Sequence, residues 1–134
     1  MDKIVLLVED VPKEIVKAKQ CLQAQGYKVA IASNLEDALR VWHNLGDKLA
    51  AIMTDIYFPD NLHKHSTNPN GLVIVTRALL EKKPVVICIS LKHNDKPYLL
   101  ELIMNLRKLC GKIPLNFNKR WEDSVQLLNH ELGR

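Results

Sequence analysis

Mostly apolar runs typical of β-strands alternate with amphipathic helical patterns five times along this chain, and this alternation constrains the fold more than any other feature. The first run is continuously aliphatic, as expected for a strand that is covered on both faces of a sheet. The five runs span residues 3–8, 27–32, 49–54, 84–89 and 113–117. Because consecutive strands are separated by helical segments, right-handed crossovers and a doubly wound parallel sheet are the simplest arrangement. We therefore expect an α/β fold of the (βα)5 type.

Local signals mark several ends of the helices. Pro12 suits the first turn of a helix, where its missing N–H is not needed. Ser33 and Glu36 have the spacing of a capping box at the start of the second helix. The polar stretch 59–70 predicts a loop, and Gly71 is expected to open the third helix. The last two helices are predicted over about 96–109 and 121–132.

Length and composition fit one globular unit. The chain has 134 residues, 47% of them apolar and 25% charged, so we expect a single domain over residues 1–134 with no separate output domain. No apolar stretch approaches the roughly 18 residues of a membrane span, and acids follow the short apolar N-terminal run at once, unlike a signal peptide. We expect a cytoplasmic protein without a membrane partner. The net charge is +4, but the Lys and Arg residues are scattered and mixed with acids, which favours a solvated surface over a nucleic-acid interface.

The cysteines and histidines do not form a metal or disulfide framework in the sequence. Cys21, Cys88 and Cys110 lack CxxC spacing, and Cys88 lies within the apolar run VVICI, where a buried thiol is expected. His63 and His65 lie in the polar stretch without a matching Cys or carboxylate frame, which disfavours a zinc site.

Charged and polar residues follow four of the predicted strands. In a doubly wound sheet, ligands bind outside the carboxyl ends of the strands. These ends place five side chains at one edge of the sheet: Glu9, Asp10, Asp55, Ser90 and Lys119. Three carboxylates, a hydroxyl and an ammonium are therefore expected to converge.

The chemistry of this cluster follows from its charges. Three neighbouring carboxylates repel one another unless a cation neutralises them, and a hard divalent cation such as Mg²⁺ prefers oxygen ligands. With the cation bound, one carboxylate can attack phosphorus to give an aspartyl phosphate. Ser90 and Lys119 would then neutralise charge on the transferring oxygens.

Ordered motifs give the chain a resemblance to a known family. They are KIVLLVED, GYKVAIASNLEDAL, TDIYFPD, Gly71, PVVICIS and KRWEDSVQLL. In this order and spacing, over essentially the whole length, the chain resembles the receiver domains of response regulators in two-component signalling systems. The resemblance implies a flavodoxin-like three-layer sandwich whose five parallel strands lie in the order 2-1-3-4-5.

The resemblance also implies a phosphoacceptor and a metal site. Asp55 would be the phosphoacceptor and a ligand of Mg²⁺. Asp10 would bind Mg²⁺ directly, and Glu9 would assist. The backbone carbonyl of Tyr57 would be a further ligand.

Two further residues and the partners follow from the same resemblance. Ser90 would hydrogen-bond a phosphoryl oxygen, and Lys119 would pair with the phosphorylated Asp55. The phosphoryl donor would be a sensor histidine kinase or a histidine phosphotransfer protein. The modified domain would control a downstream protein target and could form a homodimer through its last strand and helices. Such a domain has phosphotransfer and autodephosphorylation chemistry but is not a conventional enzyme.

The chain departs from the family pattern near Lys119. Arg120 follows this lysine where the family usually has proline, and Asn116 stands where the family has an aromatic switch residue. Three other lysines compete with Lys119 for its role on sequence alone: Lys83, Lys96 and Lys112.

Two other functions remain open at this stage. The departures suggest a pseudo-receiver, which would use the same fold as a phosphorylation-independent interaction or dimerisation module. A small nucleotide- or flavin-binding protein is disfavoured, because acids rather than a glycine-rich phosphate loop follow the first strand.

Overall fold

A parallel sheet forms the centre of the molecule in the computed structural model, which describes residues 4–89, 97–111, 113–117 and 119–134. The strands are β1 (Ile4–Val8), β2 (Lys28–Ala32), β3 (Leu49–Thr54), β4 (Phe58–Pro59), β5 (Thr67–Asn68), β6 (Val85–Ile89) and β7 (Leu115–Phe117). The main sheet has the order β2-β1-β3-β6-β7, and its neighbouring strands are all parallel. Because the two-residue strands β4 and β5 form a separate two-stranded sheet, this arrangement confirms the predicted order 2-1-3-4-5 of the five longer strands.

Five α-helices connect or follow these strands in the described part of the chain. They are α1 (Pro12–Ala24), α2 (Leu35–Leu45), α3 (Gly71–Leu80), α4 (Pro97–Leu109) and α5 (Trp121–Glu131), with a single 3₁₀ turn at Gly46–Lys48. The predicted starts at Pro12 and Gly71 are confirmed. None of the described helices combines the length and the apolar character needed to cross a bilayer.

The capping box predicted for α2 is wrong by one residue. Asn34, not Ser33, is the N-cap, and its side-chain oxygen accepts a hydrogen bond from the Asp37 backbone N–H at 2.8 Å. The Asn34 amide in turn donates to the Asp37 carboxylate at 2.9 Å. Both pairs have the required spacing of three residues, so the sequence pattern could not distinguish them.

Side chains on the two faces of the sheet form separate cores. Successive residues of a strand point to opposite faces. Leu6 and Val8 therefore join the core beneath α2, α3 and α4, whereas Val5 and Leu7 join the core beneath α1 and α5. This arrangement confirms the three-layer sandwich.

The stretch 59–70 is more ordered than the predicted loop. Strands β4 and β5 form a short antiparallel ribbon within it. The Asn70 amide donates to the Phe58 carbonyl at 2.9 Å and to the Asp60 carboxylate at 2.8 Å. Asn68 donates to the same carboxylate at 3.0 Å. Hydrogen bonds from Asn68 and Asn70 hold the pKa of Asp60 below its usual value.

Candidate functional site

The carboxyl ends of β1 and β3 bring three acids together. These strands are neighbours, with Val8 opposite Thr54 in the last pair of their register. The backbone N–H of Asp55 donates to the Val8 carbonyl at 3.0 Å, which aligns the residue after β3 with the end of β1. Carboxylate oxygens of Glu9, Asp10 and Asp55 all lie within 4.8 Å of one another.

Two of these acids are almost fully withdrawn from solvent. Glu9 is 0% exposed and Asp55 is 1% exposed, whereas Asp10 lies closer to the surface. Backbone amides partly solvate both buried groups. Glu9 Oε2 accepts from the N–H groups of Asp10 at 2.9 Å and Val11 at 3.2 Å. Asp55 Oδ1 accepts from the N–H of Ile56 at 2.7 Å.

Lys119 completes the cluster from the connection between β7 and α5. Its Nζ lies 2.9 Å from Asp55 Oδ2 and 2.5 Å from Glu9 Oε1, and its side chain is only 8% exposed. One ammonium therefore bridges two buried carboxylates that belong to different strand ends. Lys119 holds this position with a φ of +50°, which non-glycine residues rarely adopt.

The structure distinguishes Lys119 from a competing lysine. The ammonium of Lys83 donates to the Leu49 carbonyl at 2.8 Å, at the opposite end of β3 from Asp55. Lys83 therefore fixes the start of a strand and does not reach the acids. Lys96 and Lys112 lie outside the described residues.

Burial and charge act in opposite directions on the ionisable groups of the site. Burial, reinforced by the negative charge of Asp55, raises the pKa of Glu9 to about 7 although Lys119 opposes this shift. Burial alone would lower the pKa of Lys119, but the carboxylates of Asp55 and Glu9 outweigh it and raise the pKa. The ammonium therefore remains protonated, but its charge does not offset the effect of burial and of Asp55 on the pKa of Glu9.

Gly71 allows α3 to begin directly against the backbone of Asp55 and Ile56. Its N–H donates to the Ile56 carbonyl at 2.8 Å. A Cβ at this position would lie only 2.2 Å from the Asp55 carbonyl oxygen and 2.5 Å from Ile56 Cα. These are backbone atoms, which cannot rotate away as a side chain can. Only glycine permits this approach without moving the backbone that carries Asp55.

The structure does not test the roles predicted for Tyr57 and Ser90. Tyr57 lies in the turn that follows Asp55, and its side chain is buried. The role of its carbonyl as a metal ligand stays a prediction. Ser90 lies outside the described residues, directly after β6.

The donor set fits a hard divalent cation. All three clustered acids offer oxygen, and Asp10 and Asp55 lie close enough to share one ion. Mg²⁺ is usually held by one or two carboxylates and retains water or phosphate oxygens as its other ligands. When ionised, three carboxylates and one ammonium leave an excess of negative charge that one divalent cation would balance.

Sequence reasoning missed a hydrogen-bonded pair beside Lys119. The Asn116 amide donates to the Arg120 carbonyl at 2.8 Å and to Ser124 Oγ at 2.7 Å. Ser124 is fully buried on α5, and Cys88 donates to its hydroxyl at 3.4 Å. A usable signal was present, because Ser124 lies between Trp121 and Leu128 on the helix face that is otherwise apolar.

Comparison with known proteins gives matches only at the level of structure. No protein-family profile matches the chain, and no curated protein sequence matches it. A response regulator receiver domain protein from Methanospirillum hungatei is 17% identical with a TM-score of 0.73, covering 99% of this chain and 95% of its own. A receiver domain protein from Clostridium thermocellum is 17% identical with a TM-score of 0.67, covering 98% and 99%. The chemotaxis protein CheY4 of Vibrio cholerae is 14% identical with a TM-score of 0.65, covering 98% of each chain.

These matches cover nearly the full length of each protein, so the likeness concerns the whole architecture and not a shared supersecondary unit. Together with the strand order and the three-layer packing, they show that this chain has the fold of the response regulator receiver domains.

Proposed function

We propose that this protein is a receiver of a two-component signalling system, in which Asp55 accepts a phosphoryl group. A phosphohistidine on a sensor histidine kinase or a histidine phosphotransfer protein would be the donor, in the cytoplasm. One observation carries the proposal: the Lys119 ammonium bonds both Asp55 and Glu9 at the carboxyl edge of the sheet. A buried lysine shared by two acids is the arrangement needed to neutralise a phosphoryl group added to one of them.

The proposed transfer is a displacement at phosphorus. A carboxylate oxygen of Asp55 forms the new O–P bond while the P–N bond of the phosphohistidine breaks. The departing imidazole keeps the bonding electron pair and takes up a proton from solvent. Mg²⁺, when held by Asp10, Asp55, Glu9 and the Tyr57 carbonyl, would neutralise the phosphoryl oxygens.

The protein residues contribute position and charge. The N–H of Ile56 fixes one oxygen of Asp55, and Lys119 contacts the other. After transfer, the Lys119 ammonium remains within reach of the added phosphoryl oxygens. The Ser90 hydroxyl would contact a further oxygen at the end of β6. This redistribution of contacts would shift the population between two states of the domain.

The site geometry argues against the other two functions. A pseudo-receiver was suggested by the missing proline after Lys119, but the lysine reaches the acids without it. A phosphate-bearing cofactor would meet the buried carboxylates of Glu9 and Asp55 near the end of β1, which repel an anion.

The outer face of α4 supports a homodimer as part of this function. Tyr98, Leu102 and Leu109 lie on one side of the helix and are 61%, 43% and 82% exposed. Glu101 in the first half of α4 and Lys108 in its last turn are both exposed beside these apolar residues. Two copies packed with antiparallel α4 helices would bury the apolar side chains and pair these opposite charges, so we assign this face to a second copy of the chain.

Phosphorylation with a small donor tests the main proposal. Wild-type protein is incubated with acetyl phosphate and Mg²⁺, and mass spectrometry measures the addition of one phosphoryl group. We expect labelling of the wild type, none of Asp55→Asn, and none after chelation of the metal. Asp60→Asn is the matched control, since this acid lies in the loop after β4 and should not affect labelling. No labelling of the wild type beside a competent receiver would reject the proposal.

A further inference from the structure

Asn116 closes the short connection that carries Lys119. Asn116 lies in β7 opposite Cys88 of β6, so its backbone is held in the main sheet. Its side chain donates at 2.8 Å to the carbonyl of Arg120, four residues later. The connection between the strand and α5 is therefore a closed loop with Lys119 inside it.

The far end of this loop is fixed a second time. Arg120 is the N-cap of α5, yet it has no side-chain hydrogen bond to the helix. Its carbonyl accepts the Ser124 N–H at 3.0 Å as well as the Asn116 amide. The Asn116 amide also reaches Ser124 Oγ at 2.7 Å. Asn116 thus links β7 to the first turn of α5 at two points.

The backbone of Lys119 needs such support. Its φ of +50° is unfavourable for a non-glycine residue, and such conformations persist only when the surroundings impose them. The residue after it is Arg120 rather than a proline, so no ring restricts the backbone at that point. Within the described residues around this loop, the Asn116 amide is the side chain that ties its two ends together.

We propose that Asn116 is a positioning residue for Lys119, which holds the loop so that the ammonium lies against Asp55 and Glu9. This inference rests on the proposed function, and it assigns a task to the position where an aromatic residue was expected. Asn116 touches neither acid, so it would act only through Lys119.

The consequence is measurable with Mg²⁺ alone. The Lys119 ammonium occupies oxygens of Glu9 and Asp55 that a cation would also use, and its charge repels the cation. Loosening the lysine should therefore tighten Mg²⁺ binding, whereas general damage to the site should weaken it.

A double-mutant cycle separates these outcomes. Calorimetry measures the Mg²⁺ Kd of wild type, Asn116→Ala, Lys119→Gln and the double variant. We expect Asn116→Ala to tighten binding about threefold and Lys119→Gln about tenfold, as removal of a nearby positive charge implies. In the Lys119→Gln background, Asn116→Ala should have no further effect, because its only route to the metal is gone. The same shift in both backgrounds, or no shift in the wild type, overturns the proposal.

Two further variants provide a control and a replacement for Asn116→Ala. Ser124→Ala removes the hydroxyl contact but leaves the bond between Asn116 and the Arg120 carbonyl, so its Mg²⁺ Kd should stay within about twofold of wild type. Asn116→Val introduces a good strand former and lacks the amide donor, and it replaces Asn116→Ala if that variant does not fold. The cycle needs no phosphorylation. Failure to label Asp55 would reject the proposed function, whereas an additive cycle would reject only the role of Asn116.

Discussion

The Cβ that Gly71 lacks would lie 2.2 Å from the carbonyl oxygen of Asp55, so the start of α3 and the segment after β3 touch backbone to backbone. This contact predicts whether Gly71→Ala stabilises or destabilises the protein. Helix propensity alone would make Gly71→Ala stabilising by up to about 1 kcal/mol. We expect destabilisation by about 1–3 kcal/mol, because the new methyl group collides with backbone atoms.

Urea unfolding of Gly71→Ala beside Gly46→Ala measures this effect. A Cβ at Gly46 would meet no atom within 4 Å, although its φ of +53° adds some strain. The clash predicts a larger loss at Gly71, accompanied by slower labelling of Asp55. A gain in stability for Gly71→Ala would contradict the close approach.

Removal of the lysine charge should expose the repulsion between the buried acids. Lys119→Met keeps an unbranched side chain but leaves Glu9 and Asp55 without their ammonium. We expect a loss of about 3–5 kcal/mol in the free energy of unfolding, as for other broken buried ion pairs. Mg²⁺ should restore a larger share of stability in this variant than it adds to the wild type, because the cation neutralises the same acids.

Urea unfolding with Mg²⁺ or with a chelator gives both quantities. Lys64→Met is the matched control, since Lys64 is exposed in the loop between β4 and β5. Equal stability of Lys119→Met and Lys64→Met in the absence of metal would show that the buried bridge is not formed.

The ribbon between Asp55 and α3 should depend on Asn70. Asn70→Ala removes the hydrogen bonds to the Phe58 carbonyl and to the Asp60 carboxylate. Because the carbonyl then lacks a side-chain donor in a buried setting, we expect a cost of about 1–3 kcal/mol. Limited proteolysis should cut the segment 60–66 faster than in the wild type. An unchanged cleavage rate would show that these hydrogen bonds do not order the ribbon.

The thiols should differ widely in reactivity. Burial raises the pKa of Cys88 to about 12, although the Ser124 hydroxyl partly offsets this effect. Thiolate formation, and hence reaction with a disulfide reagent at about pH 8, should be negligible at Cys88 in the folded protein. Cys110 is exposed and should react first.

A Cys21→Ser/Cys110→Ser variant isolates the buried thiol for this measurement. We expect no reaction until a denaturant unfolds the protein, followed by one equivalent of released chromophore. Rapid reaction of the folded variant would contradict the burial of Cys88 beneath α5.

Charge exchange on α4 should decide whether two copies pair. Light scattering should give a dimer for the wild type and a monomer for Leu102→Lys, because the new charge would be buried in the interface. Leu80→Lys is the control, since Leu80 is equally apolar and 84% exposed at the end of α3. Glu101→Arg should weaken the dimer, and addition of Lys108→Glu should restore it. A wild type that is monomeric at every concentration contradicts the dimer and leaves this face to another protein.

The sequence alone was sufficient for the five strands of the main sheet, for the five helices and for the strand ends that carry the acids, but not for the ribbon of β4 and β5. A strand buried on both faces requires a run of apolar residues, and a helix over a sheet requires an apolar stripe, so β3 was predicted with its observed bounds. Strand order and the edge that receives Asp10 and Asp55 followed from the right-handed crossovers and from the resemblance. These properties are encoded locally, by period and by position relative to a strand end.

Only the tertiary structure decided relations between atoms of separate segments. Lys83 and Lys119 both lie near strands, and packing alone shows that one bonds the start of β3 while the other reaches the acids. The closeness of Gly71 to Asp55 and the direction of the Asn116 amide likewise depend on how helices lie on the sheet. A sequence pattern indicates whether a residue is buried. Whether two groups form a hydrogen bond or a close contact depends on differences of a fraction of an ångström in their separation, and only the packed backbone fixes these separations.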